Sequence, residues 1–294
     1  MSQASPAVVS SAHGQTPERE RGVLYKLWQK PKSRYSMLIL LAVIAVGIVG
    51  PWLAPHDPTK PYYESLLAEP SAEHWLGTDA IGRDVFSRLL HGARVTLMVA
   101  VMAVSITFFT GTLIGITSAY VGGIVDQVLM RIMDILLAIP NIVMAMAIVA
   151  ILGPSLTNAM IAVGIAGIPK YARLTRASTL AVKSSGYVEA SRAVGTSNAR
   201  ILLLQILPNI MSTLLVYTTL QIGIAILDTA ALSFIGLGAQ PPTPEWGTML
   251  SEGKEYIRDA WWLATFPGIA ISVVVFSVNI LGDALRDILD PRTN

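Results

Sequence analysis

The chain has 294 residues, of which 53% are hydrophobic and 14% charged, and its mean hydropathy is +0.57. Soluble domains carry about 25% charged residues, so the deficit points to a membrane protein, while a net charge of +2 gives no ground for nucleic-acid binding. Cysteine is absent, which excludes a disulfide framework, a thiolate metal site and a cysteine nucleophile.

The first 20 or so residues, rich in Ser, Ala and Gln, read as a disordered tail. Two readings stay open for 23–28: an interfacial helix with Leu24, Leu27 and Trp28 on lipid, or a basic tail that only sets topology. A helix needs about 20 mostly apolar residues to cross the hydrocarbon core. The first such stretch is 36–53. Pro51, Trp52 and Pro55 follow it in place of a small-residue cleavage site, so it is an anchor and not a removed leader.

The segment HWLGTDAIGRDVFSRLLHGARVTL (74–97) comes next. Asp79, Arg83, Asp84, Arg88 and Arg94 alternate in sign on an expected helix, and Gly77 and Gly82 break the chain. Asp84 and Arg88 are four apart, the spacing of an exposed ion pair, so the residues alone read as a solvated lip. The second span is 96–120, where Gly111 and Gly115 suit close helix packing. The third, 132–152, is expected to kink at Pro140. The fourth, 155–169, is long enough only if the helix runs on through Tyr171 and Ala172 with Lys170 snorkelling.

The segment 187–209, YVEASRAVGTSNARILLLQILPN, separates the fourth and fifth spans. Glu189, Ala190, Ser191, Ala193 and Val194 predict a small-residue helix, and Gly195 suits the left-handed position that ends one. Thr196 or Ser197 can cap a second helix with an apolar face of Ile201, Leu202, Leu204 and Leu207. That helix is expected to stop at Pro208, which starts the next span. A surface of Ala, Ser and Gly lets another protein approach closely, but from the residues alone an ordinary amphipathic connector fits equally well.

The fifth span is 210–235 and the sixth 263–281. The linker between them holds Pro241, Pro242 and Pro244, which stiffen it, and Trp246, expected at the membrane interface. Six spans put both ends on one side. All of the 21 Lys and Arg except Lys60, Arg83, Arg88, Arg94, Lys254 and Arg258 fall on that side, so both termini are expected in the cytoplasm.

Polar groups within spans are costly and face a cavity or a partner helix. Asp228, Gln221, Asn279 and Asn158 are the candidates for a translocation path. For Asp228 a paired structural charge is the favoured reading. Met144, with Met98, Met102, Met133 and Met146, offers a deformable lining or simply faces lipid and neighbouring helices. His13, His56, His74 and His91 are scattered and none lies in a span, so neither metal ligands nor catalytic residues are expected.

The segment 187–209 resembles the cytoplasmic Glu-Ala-Ala motif of importer-type ABC permeases: Glu-Ala-Ala, three residues, Gly, nine residues, then Ile-x-Leu-Pro. Glu189, Ala190, Gly195, Leu207 and Pro208 match it; Ser191 stands for the second Ala and Gln205 for the Ile. The segment 74–97 resembles the Leu-Gly-Thr-Asp…Gly-Arg-Asp…Ser-Arg…Gly-Ala-Arg pattern of the peptide and nickel subgroup, in its C-type permease. Residues 136–145, 236–257 and 281–291 are similar to that subgroup too.

The resemblance implies an all-α polytopic membrane protein of six transmembrane helices, with the type I ABC importer permease fold and a cytoplasmic coupling helix. Its parts would be a tail (1–35), a first span with an extracytoplasmic segment (36–95), a permease core (96–285, coupling loop about 171–209) and a second tail (286–294). It implies a second, B-type permease subunit, two ATPase subunits and an extracytoplasmic binding protein. The chain itself has no G-x-x-x-x-G-K-[ST] loop, so ATP and Mg would be bound by the partners and no cofactor by this chain. Glu189, Ala190, Ser191, Ala193, Gly195, Leu207 and Pro208 would couple it to the ATPase, and a bulky residue at Gly195 should both clash and strain the turn. The expected cargo is di- or oligopeptides, with nickel, glutathione or oligosaccharide as alternatives, across a bacterial inner membrane. Rival readings are a secondary transporter using Asp228, a membrane-embedded enzyme and an assembly scaffold.

Overall fold

The computed structural model describes residues 22–289. The tail read as disordered, and Asp290 and Pro291 of the carboxyl-terminal motif, lie outside the described residues. Helices dominate, and the β-pairing among the described residues is one isolated bridge between Thr78 and Asp84.

A short helix α1 (Val23–Gln29) leads into α2 (Pro31–Leu53), which opens on a first-turn Pro. Leu24 and Trp28 of α1 are exposed as expected, but Leu27 is buried against Ala284 and Ile288 and does not face lipid. Those partners sit on the last helix, α11 (Trp262–Leu289), so the two ends of the described chain lie together. An ion pair between Lys30 and Asp287 at 3.1 Å joins them as well.

Helix α3 (Val85–Val121) has 37 residues and is therefore about 55 Å long, well beyond a hydrocarbon core of about 30 Å. It packs chiefly on α6 (Leu156–Lys183). Small residues permit this. A Cβ on Gly115 would strike the Ala172 carbonyl, one on Gly111 the Tyr171 side chain, and one on Gly164 the Ala103 carbonyl. The Gly111–Gly115 pair is thus a packing surface within this chain. Thr107 seals the crossing by donating to the Gly164 carbonyl at 2.7 Å.

The third expected span is not one kinked helix. It is two helices, α4 (Gly123–Leu137) and α5 (Asn141–Leu152), set at 92°. Proline disfavours helical backbone in the residue before it, and its ring blocks the preceding turn. Pro140 therefore ends α4 outright. Helix α5 spans only about 18 Å, too little to cross alone. Helix α4 is amphipathic and pairs with the charged half of α6, through Asp126 with Arg176 and Asp134 with Arg173.

Helix α6 does run through Tyr171 and Ala172, as its expected length required. Among the described residues, four helices are long and apolar enough to cross a membrane, and five if the bent pair counts as one. Helix α6 is not among them because Lys170, Arg173, Arg176 and Lys183 crowd its second half. Its buried face, from Ala159 to Thr179, is covered by its neighbours. Helix α9 (Leu207–Phe234) and α11 complete the bundle, and α10 (Trp246–Gly253) caps one end of it.

Candidate functional site

The helix-turn-helix elbow at one end of the bundle forms as its residues dictate. Helix α7 (Gly186–Ala193) is followed by Val194 and by Gly195 at φ +80°. The Gly195 N–H donates to the Arg192 carbonyl and the Thr196 N–H to the Ser191 carbonyl, each at 3.0 Å. This paired closure satisfies the last carbonyls of α7, and only a residue at ease with positive φ completes it. Ser197 is the N-cap of α8 (Asn198–Ile201), without a side-chain bond.

The second helix does not stop at Pro208. A π turn, Leu202–Ile206, joins α8 to α9, so one helix runs from Asn198 to Phe234. Pro208 lacks an N–H and its ring would meet a carbonyl one turn back; a wider turn opens that space. The buried face of this stretch is Ile201, Ile206 and Ile210, packed with Val188 and Tyr171. Leu204, expected on that face, is exposed, and Leu207 is half-buried.

Several anchors hold the elbow. The Lys183 ammonium donates to the carbonyls of Ala119 (2.8 Å) and Tyr120 (2.9 Å), filling the open end of α3. The Tyr120 hydroxyl donates to Asn198 Oδ1 at 2.7 Å. Arg176 grips Asp126 with two bonds of 2.6 Å. Above this base, Glu189, Ala190, Ala193, Val194 and Gly195 are all exposed, Val194 at 82%. The result is a rigid knob with a small-residue surface.

The two departures from the motif meet each other. Gln205 Nε2 donates to Ser191 Oγ at 2.8 Å. Gln205 Oε1 is buried without a partner. Ser191→Ala alone is expected to strand the amide and cost about 1–3 kcal/mol. Ser191→Ala with Gln205→Ile, the motif's usual pair, should recover that loss. Thermal unfolding of the two singles and the double checks this, and additivity of the singles would refute the coupling.

The polar residues singled out within the spans do not converge. Asp228 and Gln221 line a tight crevice between α3, α5, α6 and α9, together with Asn141, which the sequence reading missed. Asp228 has no ion-pair or hydrogen-bond partner among the described residues, which corrects its reading as a paired charge; Lys170 acts on it only at longer range. Asn279 lies on α11 against Gly223 of α9. Asn158 caps the preceding loop, donating to the carbonyls of Leu152 and Gly153 at 2.9 Å. Met144 and Met133 are buried, whereas Met98, Met102 and Met146 are exposed, so the methionines form no common lining.

The far end of α3 carries a buried ionic cluster where a solvated lip was expected. Asp84 does not pair with Arg88. It caps α3 by accepting from the Ser87 N–H at 2.8 Å and faces His74 Nδ1 at 2.9 Å. Arg88, fully buried, reaches Asp79 at 2.6 Å and Glu252 at 2.8 Å, and Arg83 joins the same two carboxylates at 2.6 and 3.1 Å. Arg83 and Asp79 precede the helix, and Arg94 alone of the five charges is exposed. Gly82 stands at φ +85° against the Tyr62 carbonyl, where a Cβ would collide with backbone. Trp246 is buried, not interfacial, and donates to the Leu89 carbonyl at 3.0 Å. Buried Glu245 caps α10 by accepting from the N–H groups of Gly247 and Thr248 at 2.9 Å.

Comparison with known proteins fits this arrangement. The chain is 45% identical over 262 residues to a di/tripeptide transport system permease protein of Pseudomonas aeruginosa, covering 87% of this chain and 86% of the relative. It is 43% identical to a probable D,D-dipeptide transport system permease protein of Escherichia coli, with 92% and 91% covered. It is likewise 43% identical to a glutathione transport system permease protein of E. coli, with 94% and 93% covered. The fold matches a chain of the MetNI methionine ABC transporter in an inward-facing conformation, with a TM-score of 0.56 at 20% identity, covering 68% of this chain and 95% of that one. The model of the family described as "Binding-protein-dependent transport system inner membrane component" matches residues 111–294. With that match over more than half its length, the chain belongs to this family of membrane-embedded, non-catalytic transport components.

Proposed function

We propose that this chain is the permease subunit of an ATP-driven importer of short peptides and that the α7–α8 elbow couples it to a separate ATPase subunit. The observation that carries the coupling role is the exposed small-residue surface of the elbow on a base fixed to three helices. A protein docking on Ala190, Ala193 and Gly195 can approach the backbone closely. Helix α8 continues into α9 through the π turn, so displacement of the elbow passes into the bundle without crossing a loop.

Membership in the family implies ATPase and substrate-binding partners. A second permease subunit completes the path, half of which this chain lines at Asp228, Gln221 and Asn141. ATP and Mg belong to the partners. We count six crossings, taking the bent pair as one and including α6, with both termini in the cytoplasm. The distribution of Lys and Arg supports that orientation. The substrate class is supported by the names of relatives, which run from dipeptides to glutathione, itself a tripeptide.

The absence of cysteine makes the test direct. Ala193→Cys, co-expressed with the ATPase subunit bearing single cysteines across its permease-facing cleft, should yield an oxidative cross-link whose intensity changes with ATP. A fully assembled complex that gives no cross-link from any cleft position would remove the coupling role from the elbow.

A further inference from the structure

Three residues from separate parts of the sequence meet at the end of the bundle opposite the elbow. His56 follows α2, His74 lies in the long connection to α3, and Asp84 is the N-cap of α3. One ligand atom from each, a ring nitrogen of either His and a carboxylate oxygen, all lie within 4.8 Å of one another. Asp84 Oδ1 is 2.9 Å from His74 Nδ1 and 3.8 Å from His56 Nδ1. Ligands held at about 2.05 Å by a tetrahedral zinc ion sit about 3.3 Å apart. The two carboxylate–imidazole separations bracket that value, and the imidazole pair lies within 4.8 Å, so modest side-chain shifts would admit an ion.

A hydrogen-bonded triad does not account for the whole cluster. His74 and Asp84 satisfy each other, but the Nδ1 atom of His56 is buried with no hydrogen-bond partner among the described residues. Such an atom calls for an explanation. The supports are those a ligand set needs. The second oxygen of Asp84 accepts from the Ser87 N–H, the His56 N–H donates to Ser87 Oγ at 3.1 Å, and the His74 N–H donates to Ser71 Oγ at 3.1 Å. Tyr62 packs edge-on to His56, and the two imidazoles lie 4.7 Å apart. Asp84 and His74 are buried, while the His56 side chain is 22% exposed and gives a route in.

We propose that His56, His74 and Asp84 form a binding site for one divalent transition-metal ion, with the fourth position left to water. Two imidazoles and a carboxylate suit zinc and its neighbours and disfavour magnesium or calcium, which take oxygen sets. The bound ion would clip the 54–84 connection to the start of α3.

The test uses the full chain, purified in detergent and stripped with a chelator. Zinc titration should show one equivalent bound, and cobalt in its place should give the intense visible absorption of a four-coordinate ion. His56→Gln and His74→Asn should each weaken binding at least ~10-fold, while His91→Gln and His13→Gln leave it unchanged. Zinc should also raise the melting temperature of the parent but not of His56→Gln, whose tryptophan fluorescence checks that the cap is folded. If a variant fails to fold, Asp84→Asn, which can keep the cap, replaces it. Absence of stoichiometric binding to the parent overturns the proposal. So does binding that survives loss of His56 and His74.

Discussion

Arg88→Met is expected to destabilise the chain by about 3–5 kcal/mol, the cost of removing one partner from a buried ionic group. Arg88 is fully buried and forks between Asp79 and Glu252. Without it, Arg83 remains as the one cation among the described residues touching the two carboxylates. Lysine cannot replace the fork, since one ammonium on a flexible stem does not span both acids with the same geometry, so Arg88→Lys should fall between parent and Met. The exposed Arg94 is the control, and Arg94→Met should stay within about 0.5 kcal/mol. Trp246 and Trp262 are buried close to this cluster, so their fluorescence during thermal unfolding reports it directly. If Arg88→Met melts with the parent, the cluster does not hold this end of the bundle together.

The second large effect concerns coupling. Gly195→Val places a β-branched side chain at φ +80°, which costs about 1–2 kcal/mol in the turn. Among the described residues nothing lies within 4 Å of the added Cβ, so within this chain the strain is conformational and any clash would be with the docked partner. Such a penalty lowers the ratio of closed to open turn about 5–30-fold. ATP-dependent uptake should fall by up to that factor while the purified chain melts close to parent. Asn tolerates left-handed backbone, so Gly195→Asn should retain most uptake. Uptake by the Val variant equal to parent would sink the coupling role. An Asn variant as poor as Val would mean that the space above Gly195, and not its backbone, is what the partner needs.

Much of this was legible in sequence because it rests on local rules. Apolar runs placed the helices, and Gly195 announced its left-handed turn. What failed were inferences from spacing that ignored burial. Asp84 and Arg88 are four apart on one helix, yet each prefers a partner brought by another segment. His56 and His74 have no local pattern, and only the packing of the 54–84 connection unites them. Pro140 and Pro208 show the same limit from the backbone side. Both are prolines in apolar stretches, but one breaks its helix by 92° and the other is absorbed by a π turn. The difference lies in the surroundings. Around Pro208, Ile201, Ile206 and Ile210 pack as one face and keep the helix whole.

That π turn sets the phase of the long helix. One extra residue in a continuous α-helix would shift everything beyond it by about 100° around the axis, and the wider turn takes up that residue without the shift. Deleting a single residue within 202–206 would restore an ordinary helix and leave the elbow at nearly the same angle to α9, whereas a deletion within the α-helical turns of α9 itself would swing it by about 100°. A deletion in the exposed loop beyond α9 carries no such rotation. Drift in chain length is therefore filtered unevenly across this protein, and the five residues Leu202–Ile206 are the stretch of the long helix that can lose one residue without turning the elbow.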